Sequence, residues 1–204
     1  MRIGIFGGSF DPVHSGHLVL AEKCWEQADL DRVVFVPAAQ QPFKPTGPQA
    51  SNSARKEMLQ LATAGRKEFL ISTVELDRGG VSYTADTIQQ YHNDFPGAEL
   101  YLLMGADALA DFPSWYRPDV ICRLATLLVV SRAGQPRPDY SALEEFLKTN
   151  DLPLPGYIHI DMPAVSISSS QIRELLVTGS DWQPLVPQQV AEYICREGVY
   201  LDTT

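Results

Sequence analysis

Met1-Arg2-Ile3-Gly4-Ile5-Phe6-Gly7-Gly8-Ser9-Phe10-Asp11-Pro12-Val13-His14-Ser15-Gly16-His17 runs from an apolar strand, through a Gly-Gly turn, to two histidines at the mouth of a helix. That order gathers backbone N–H groups and imidazoles around one point. Gly7 and Gly8 let the backbone approach a ligand closely. Ser9 adds a hydroxyl, and a helix starting near Ser15 adds the positive end of its dipole. The imidazoles of His14 and His17 can donate hydrogen bonds to phosphoryl oxygens. A single histidine near a helix start is more often a cap or a buried donor. Two of them flanking a glycine, just after a Gly-Gly turn, favour an anion site.

The rest of the chain repeats this alternation of strand and helix. Residues 3–6, 33–36, 69–73, 100–104, 126–130 and 157–160 read as strands, several of them nearly continuous apolar runs of the kind covered on both faces. Helical periodicities lie between them. Leu18, Ala21, Trp25 and Ala28 mark one face, Met58, Leu61 and Ala62 another, and Ala85, Ile88, His92 and Phe95 a third. Ile172, Leu175 and Leu176 follow, then Val186, Val190, Ala191 and Ile194. The pattern predicts an α/β fold with a parallel sheet, in which ligands bind beyond the C-terminal strand ends, where the Gly-Gly turn lies. Residues 38–53 form a long Gln-, Pro- and Gly-containing loop of the kind that binds ligands. Residues 133–139 and 151–156 are two further soft regions.

Length and composition narrow the classes. The 204 residues suit one domain, 1–204, and 45% of them are hydrophobic. No apolar run is long enough to span a membrane, and the chain enters a strand at once without signal-peptide regions, so a cytoplasmic location is expected. Cys24, Cys122 and Cys195 form no CxxC pair, which argues against a zinc ribbon and predicts buried free thiols. A net charge of −9 without a lysine or arginine run argues against nucleic acid. An anionic ligand must then be held by a few local cations and backbone dipoles. GxGxxG and GxxxxGK[ST] are both absent, which disfavours hydride-transfer enzymes and P-loop hydrolases.

The segment from Gly7 to His17 resembles the opening motif of the HxGH nucleotidyltransferase superfamily, and more narrowly that of the bacterial nicotinate-nucleotide adenylyltransferase family, GG(T/S)FDPxHxGH. Pro42-Phe43-Lys44-Pro45 stands at that family's PPHKP loop, Arg55 and Met58 at its RxxM helix, and Ser82-Tyr83-Thr84-Ala85-Asp86-Thr87 at SYTxDT. Gly105-Ala106-Asp107 fits GxD, with Trp115 following, and Ile167-Ser168-Ser169-Ser170-Gln171-Ile172-Arg173 fits ISSTxIR. Val186-Pro187, Val190, Tyr193-Ile194 and Tyr200 close the pattern. Ser9 and Ser170 replace threonines and keep the hydroxyl. Phe43 replaces the usual histidine and removes one donor from the loop.

The resemblance implies a nucleotidyltransferase fold, a Rossmann-like open parallel sheet with helices on both faces. It implies transfer of adenylyl from ATP to nicotinate mononucleotide, giving deamido-NAD and pyrophosphate in NAD biosynthesis. The mononucleotide phosphate attacks the α-phosphorus in line, so the protein positions the reactants and neutralises charge, with no enzyme nucleophile. On this reading His17 contacts the α-phosphoryl group and His14 contacts the phosphates and fixes the turn. Gly8, Ser9 and the N–H of Phe10 bind phosphate. Ser168, Ser169 and Ser170 cap a helix whose N–H groups face anions, with Arg173 adding charge. Lys44 and Arg55 serve the mononucleotide phosphate or the triphosphate, and Arg132 the triphosphate. Asp107 accepts from ribose or adenine. Trp115 stacks on the pyridine ring, and the backbone around Thr84, Ala85 and Tyr116 meets its carboxylate. Mg2+ accompanies ATP, held by phosphates and water, with no protein ligand named.

Each role has a plainer counterpart: a serine cap with a surface arginine, solvated Lys44 and Arg55, Asp107 as a helix cap, Trp115 as a core cover. ATP and nicotinate mononucleotide are the expected partners, with neither nucleic acid nor membrane, and a homo-oligomer is compatible with the sequence. Two further readings stay open. One is the same chemistry on nicotinamide mononucleotide. The other is a non-catalytic nucleotide-binding or sensor protein on the same scaffold, for which Phe43 is the one hint.

Overall fold

A computed structural model describes residues 1–43, 46–132, 138–152, 156–165 and 167–201, with Arg132 described in its backbone only. Its elements run β1 (Arg2–Gly8), α1 (Ser15–Gln27), β2 (Arg32–Pro37), α2 (Asn52–Ala62), β3 (Phe69–Ile71), α3 (Val74–Arg78) and α4 (Thr84–Asp94). They continue as β4 (Glu99–Gly105), α5 (Ala106–Asp111), α6 (Pro118–Leu124), β5 (Ala125–Arg132), α7 (Ser141–Thr149), β6 (Tyr157–Met162), α8 (Ser169–Thr178) and α9 (Gln188–Glu197). All six expected strands are present. The third ends two residues early. Ser72 N–H still donates to the Phe35 carbonyl at 3.0 Å, and Thr73 opens α3, its hydroxyl donating to Asp77 at 2.7 Å.

The strands form one sheet in the order β3-β2-β1-β4-β5-β6. The pairs β1–β4, β4–β5 and β5–β6 are parallel, in registers such as Ile5 with Leu102 and Met104 with Val129. This is the expected open α/β sheet. β1 lies at the reversal of strand order, the place where open α/β sheets bind ligands beyond their carboxyl ends. The same strand carries the Gly-Gly turn at its carboxyl end.

Contacts divide the chain into two compact units, neither of which is a continuous stretch of the expected 1–204 domain. The first comprises Met1–Gly7, Leu20–Val34 and Tyr83–Ala164, and the second Gly8–Val19, Phe35–Ser82 and Val165–Thr204. The core of the first is built on Leu100–Met104 and Leu127–Val130, buried along both runs, with Ile88, Leu109, Phe112 and Ile121 from the helices. In the second, Phe10, Phe35, Met58 and Leu59 are fully buried.

Three details of the helical faces differ from expectation. On α4 the buried face is Ala85, Thr87, Ile88 and Tyr91, whereas His92 turns to solvent and Phe95 caps the helix half-exposed, stacked on Tyr91. The 3.6-residue period selects Tyr91, one position before His92. On α2 the buried face includes Arg55 in place of Leu61. Cys24 and Cys122 are buried, but Cys195 is exposed, because α9 buries Val190, Ala191 and Ile194 and turns Cys195 outward. Among the described residues no helix is long and apolar enough to cross a membrane.

Leu128 is fully buried on β5, between β4 and β6, and Leu70 is 46% exposed. Leu128→Ala should cost about 2–5 kcal/mol in urea unfolding, through lost burial and the cavity left behind. Leu70→Ala should stay within about 1 kcal/mol. Equal losses would contradict the assignment of the core.

Candidate active site

The Gly-Gly turn is anchored at both ends. The Gly8 carbonyl accepts from Ala38 N–H at 2.8 Å, tying the end of β1 to the end of β2. Phe10 then takes a left-handed conformation, φ 47°, and drives its ring into the core against Phe35, centroids 5.6 Å apart. Gly8 lies over that ring: a Cβ there would come within 3.0 Å of Phe10 Cζ. The glycine permits this close packing of turn on ring, while Gly7 faces open space.

The two histidines form one unit. The His14 carbonyl starts α1, accepting from His17 N–H at 2.9 Å. The imidazoles stack with centroids 3.7 Å apart, and Phe10 meets the His17 ring edge-on at 5.0 Å. The His14 backbone N–H donates to His17 Nδ1 at 3.2 Å. Nδ1 is therefore the acceptor, and the proton of the neutral ring belongs on Nε2. Burial holds the His17 pKa well below 6.5, and the neighbouring His14 lowers it further. At neutral pH His17 is an uncharged ring with an Nε2–H donor. Gly16 supports the pair, since a Cβ there would press within 3.1 Å of the His14 ring.

Asp11 organises what surrounds the turn. Its buried carboxylate accepts from Gln49 N–H at 2.8 Å, Ala50 N–H at 3.0 Å and the Tyr200 hydroxyl at 2.9 Å. Arg173 Nη1 donates to the Asp11 carbonyl at 2.6 Å and stands 3.6 Å from the carboxylate. Arg55 is fully buried, donating to the Ser9 carbonyl at 2.7 Å and to Asn52 Oδ1 at 2.7 Å. Burial lowers its pKa, and the Asp11 carboxylate pushes back. Arg55 was expected as a ligand cation; its place is behind the turn, as a strut under Ser9.

The serine motif divides its labour. Ser168 is the N-cap of α8, its hydroxyl accepting from Gln171 N–H at 3.2 Å. Ser169 donates to the Pro12 carbonyl at 2.9 Å, which fastens the first turn of α8 to the motif. Ser170 accepts from Arg173 Nη2 at 3.3 Å. A cavity of about 400 Å³ opens in the second unit beside Ser9, Asp11, Ser170, Arg173 and the loop 46–49. Two serines and one guanidinium line it, with the engaged Asp11 carboxylate beside them, a donor set that suits an anion. Among the described residues no group of three or more His, Cys, Asp or Glu could hold a metal ion, and the Asp11 carboxylate at this cavity is already engaged.

The first unit carries the expected ring-binding residues. Thr84 and Ala85 begin α4, and the first N–H groups of a helix have no intrahelical acceptor. Trp115 is half-buried against Phe112, 5.4 Å between centroids, and Tyr116 is exposed against Tyr83 at 4.3 Å. Asp107 is exposed in the first turn of α5; Gly105 takes the N-cap position, so the plainer role as helix cap does not hold. Arg132 ends β5. Lys44 lies outside the described residues, and the neighbouring Phe43 is 64% exposed.

The family model described as cytidylyltransferase-like matches residues 5–175. A probable nicotinate-nucleotide adenylyltransferase of Thermus thermophilus is 44% identical over 200 residues, covering 98% of this chain and all of that protein. A protein of the same name from Rhodopirellula baltica is 43% identical over 198 residues, covering 97% of this chain and 92% of its own. The chain belongs to the nicotinate-nucleotide adenylyltransferase family. The fold agrees with that of the Plasmodium falciparum nicotinic acid mononucleotide adenylyltransferase complexed with NaAD, at TM-score 0.78 and 21% identity over 98% of this chain and 97% of that one.

Within this family motif, Asp11 and Tyr200 are the residues whose importance sequence reasoning passed over. Asp11 offers a signal in retrospect: a carboxylate inside a turn built for anions is electrostatically out of place unless it is neutralised locally. Tyr200 offers only its position in the closing pattern.

Two outcomes follow from the histidine geometry. Gly16→Ala should destabilise by about 1–3 kcal/mol in urea by pushing on the His14 ring, whereas Gly7→Ala, with nothing within 4 Å of its Cβ, should change stability little. The second concerns pH. In the unfolded chain His17 takes a proton near pH 6.5, and in the fold only well below it. Between those points unfolding takes up a proton, so this contribution is full above pH 6.5 and is lost as pH falls, at up to about 1.4 kcal/mol per unit. His17→Gln should flatten that part of a stability–pH curve; identical curves would contradict it.

Proposed function

We propose that this chain transfers the adenylyl group of ATP to nicotinate mononucleotide, forming deamido-NAD and pyrophosphate. The full-length likeness to the Thermus thermophilus protein of that name, 44% over 98% of the chain, carries the reading. The site geometry supplies its mechanism. The mononucleotide 5′-phosphate is itself the nucleophile, so the protein needs donors and cations placed where charge grows. A neutral His17 with its proton on Nε2 donates to the α-phosphoryl oxygen as negative charge builds there, and gains strength in the transition state. His14 holds that ring by stacking. Gly8, Ser9 and the Phe10 N–H, with Ser168, Ser169, Ser170 and Arg173, take the phosphates. Arg55 acts through Ser9. Lys44 and Arg132 add charge for the phosphates, and Asp107 accepts from the nucleoside.

Trp115 takes the pyridine ring, and the N–H groups at Thr84, Ala85 and Tyr116 take its carboxylate. Amide donors at a helix start favour a carboxylate over a carboxamide, so the acid is preferred to nicotinamide mononucleotide. Mg2+ would accompany ATP without a protein ligand among the described residues and would supply charge neutralisation. The intact His14–His17 stack and the Arg173-lined cavity favour an enzyme over a non-catalytic sensor.

Purified protein with ATP and Mg2+ should release pyrophosphate only when nicotinate mononucleotide is present. Its kcat/KM should be at least about tenfold higher for the acid than for the amide, the worth of one good polar contact. His17→Ala should lower kcat by about 10²–10³. Binding of both substrates without pyrophosphate release would sink the enzyme reading.

A further inference from the structure

Tyr200 is bound into the site by a contact that spans 189 residues of sequence. Its backbone sits at φ 74°, a costly region for a bulky side chain that persists only where the surroundings over-determine it. That conformation turns the ring inward, 8% exposed, and sets its hydroxyl 2.9 Å from Asp11 Oδ1. Burial first, and then Asp11, pushes the phenol pKa up, so the hydroxyl stays a donor.

The consequence concerns Arg173. Asp11 Oδ1 also accepts from Ala50 N–H, and Oδ2 accepts from Gln49 N–H. Three donors from two segments thus fix the rotation of the carboxylate. Arg173 Nη1, 3.6 Å from Oδ2, lies just beyond hydrogen-bonding distance and donates to the Asp11 carbonyl instead. Its Nη2 makes one long contact to Ser170, its Nε has no hydrogen-bond partner among the described residues, and the side chain lines the cavity. The arginine is ion-paired with the carboxylate at 3.6 Å but makes no hydrogen bond to it.

We propose that Tyr200 is a positioning residue: its hydroxyl keeps the 3.6 Å ion pair of the Asp11 carboxylate with Arg173 from closing into a direct hydrogen bond, which leaves the guanidinium's N–H groups available to a phosphate in the cavity. Naming that phosphate as part of ATP rests on the function proposed above. Without the hydroxyl, a buried carboxylate oxygen loses a donor, and the nearest mobile cation is Arg173. The carboxylate turns, the 3.6 Å gap closes, and the anion site loses its charge.

Tyr200→Phe removes the hydroxyl and keeps the ring. ATP binding by calorimetry should weaken about tenfold, with native circular dichroism and a melting temperature lower by only a few degrees. The discriminating comparison is the same change made in Arg173→Ala. If Tyr200 acts through Arg173, the double variant binds ATP no more weakly than Arg173→Ala alone. Unchanged ATP affinity in Tyr200→Phe, or a tenfold loss that adds in full to that of Arg173→Ala, overturns the proposal. The binding arm needs no turnover. A wild-type protein that binds ATP but releases no pyrophosphate would count against the proposed reaction alone.

Discussion

A buried carboxylate at the centre of an anion-binding turn is the constraint around which the second unit is arranged. Two guanidiniums stand behind that turn, Arg55 fully buried and Arg173 partly so. Taking them out of water without a counter-charge would be costly in the free protein. Asp11 stands as the carboxylate between the two, and Gln49, Ala50 and Tyr200 supply its hydrogen bonds. Arg173 lines the cavity and Arg55 does not, so a chain of net charge −9 sets one guanidinium where an anion would enter.

The histidine pair complements this charge with neutrality. Two stacked imidazoles cannot both be cations at low cost, and burial, with His14 beside it, lowers the pKa of His17. The Nε2–H of His17 is then a donor that is polar but uncharged. In the proposed reaction, Arg173 and backbone amides would attract the ground-state phosphates, while the neutral donor would respond most to charge that appears on the way to the transition state.

The sheet was fully legible in the sequence because strands covered on both faces are apolar runs, and 100–104 and 126–130 are the clearest of them. The short helices were not. α3, α5 and α6 have five, six and seven residues, too few to display a 3.6-residue period. α7 lies among the soft regions and also escaped notice. In the site, the Gly-Gly turn, the histidines and the serine cap could be read because their residue types carry their chemistry. Arg55 could not be placed, since a lone arginine looks the same whether it meets a ligand or supports a carbonyl from behind. Tyr200 is marked by the closing pattern alone, which says nothing of its role, and its partner lies 189 positions away.

Those separations bear on how the protein comes to be folded. Arg173 reaches Asp11 across 162 residues and Ser169 reaches Pro12 across 157. Contacts of such range carry the largest loop-closure entropy and tend to form late. The shape of the turn near the start of the chain thus depends on hydrogen bonds supplied by a helix more than 150 residues later, and any change that loosens α8 acts on the turn as well.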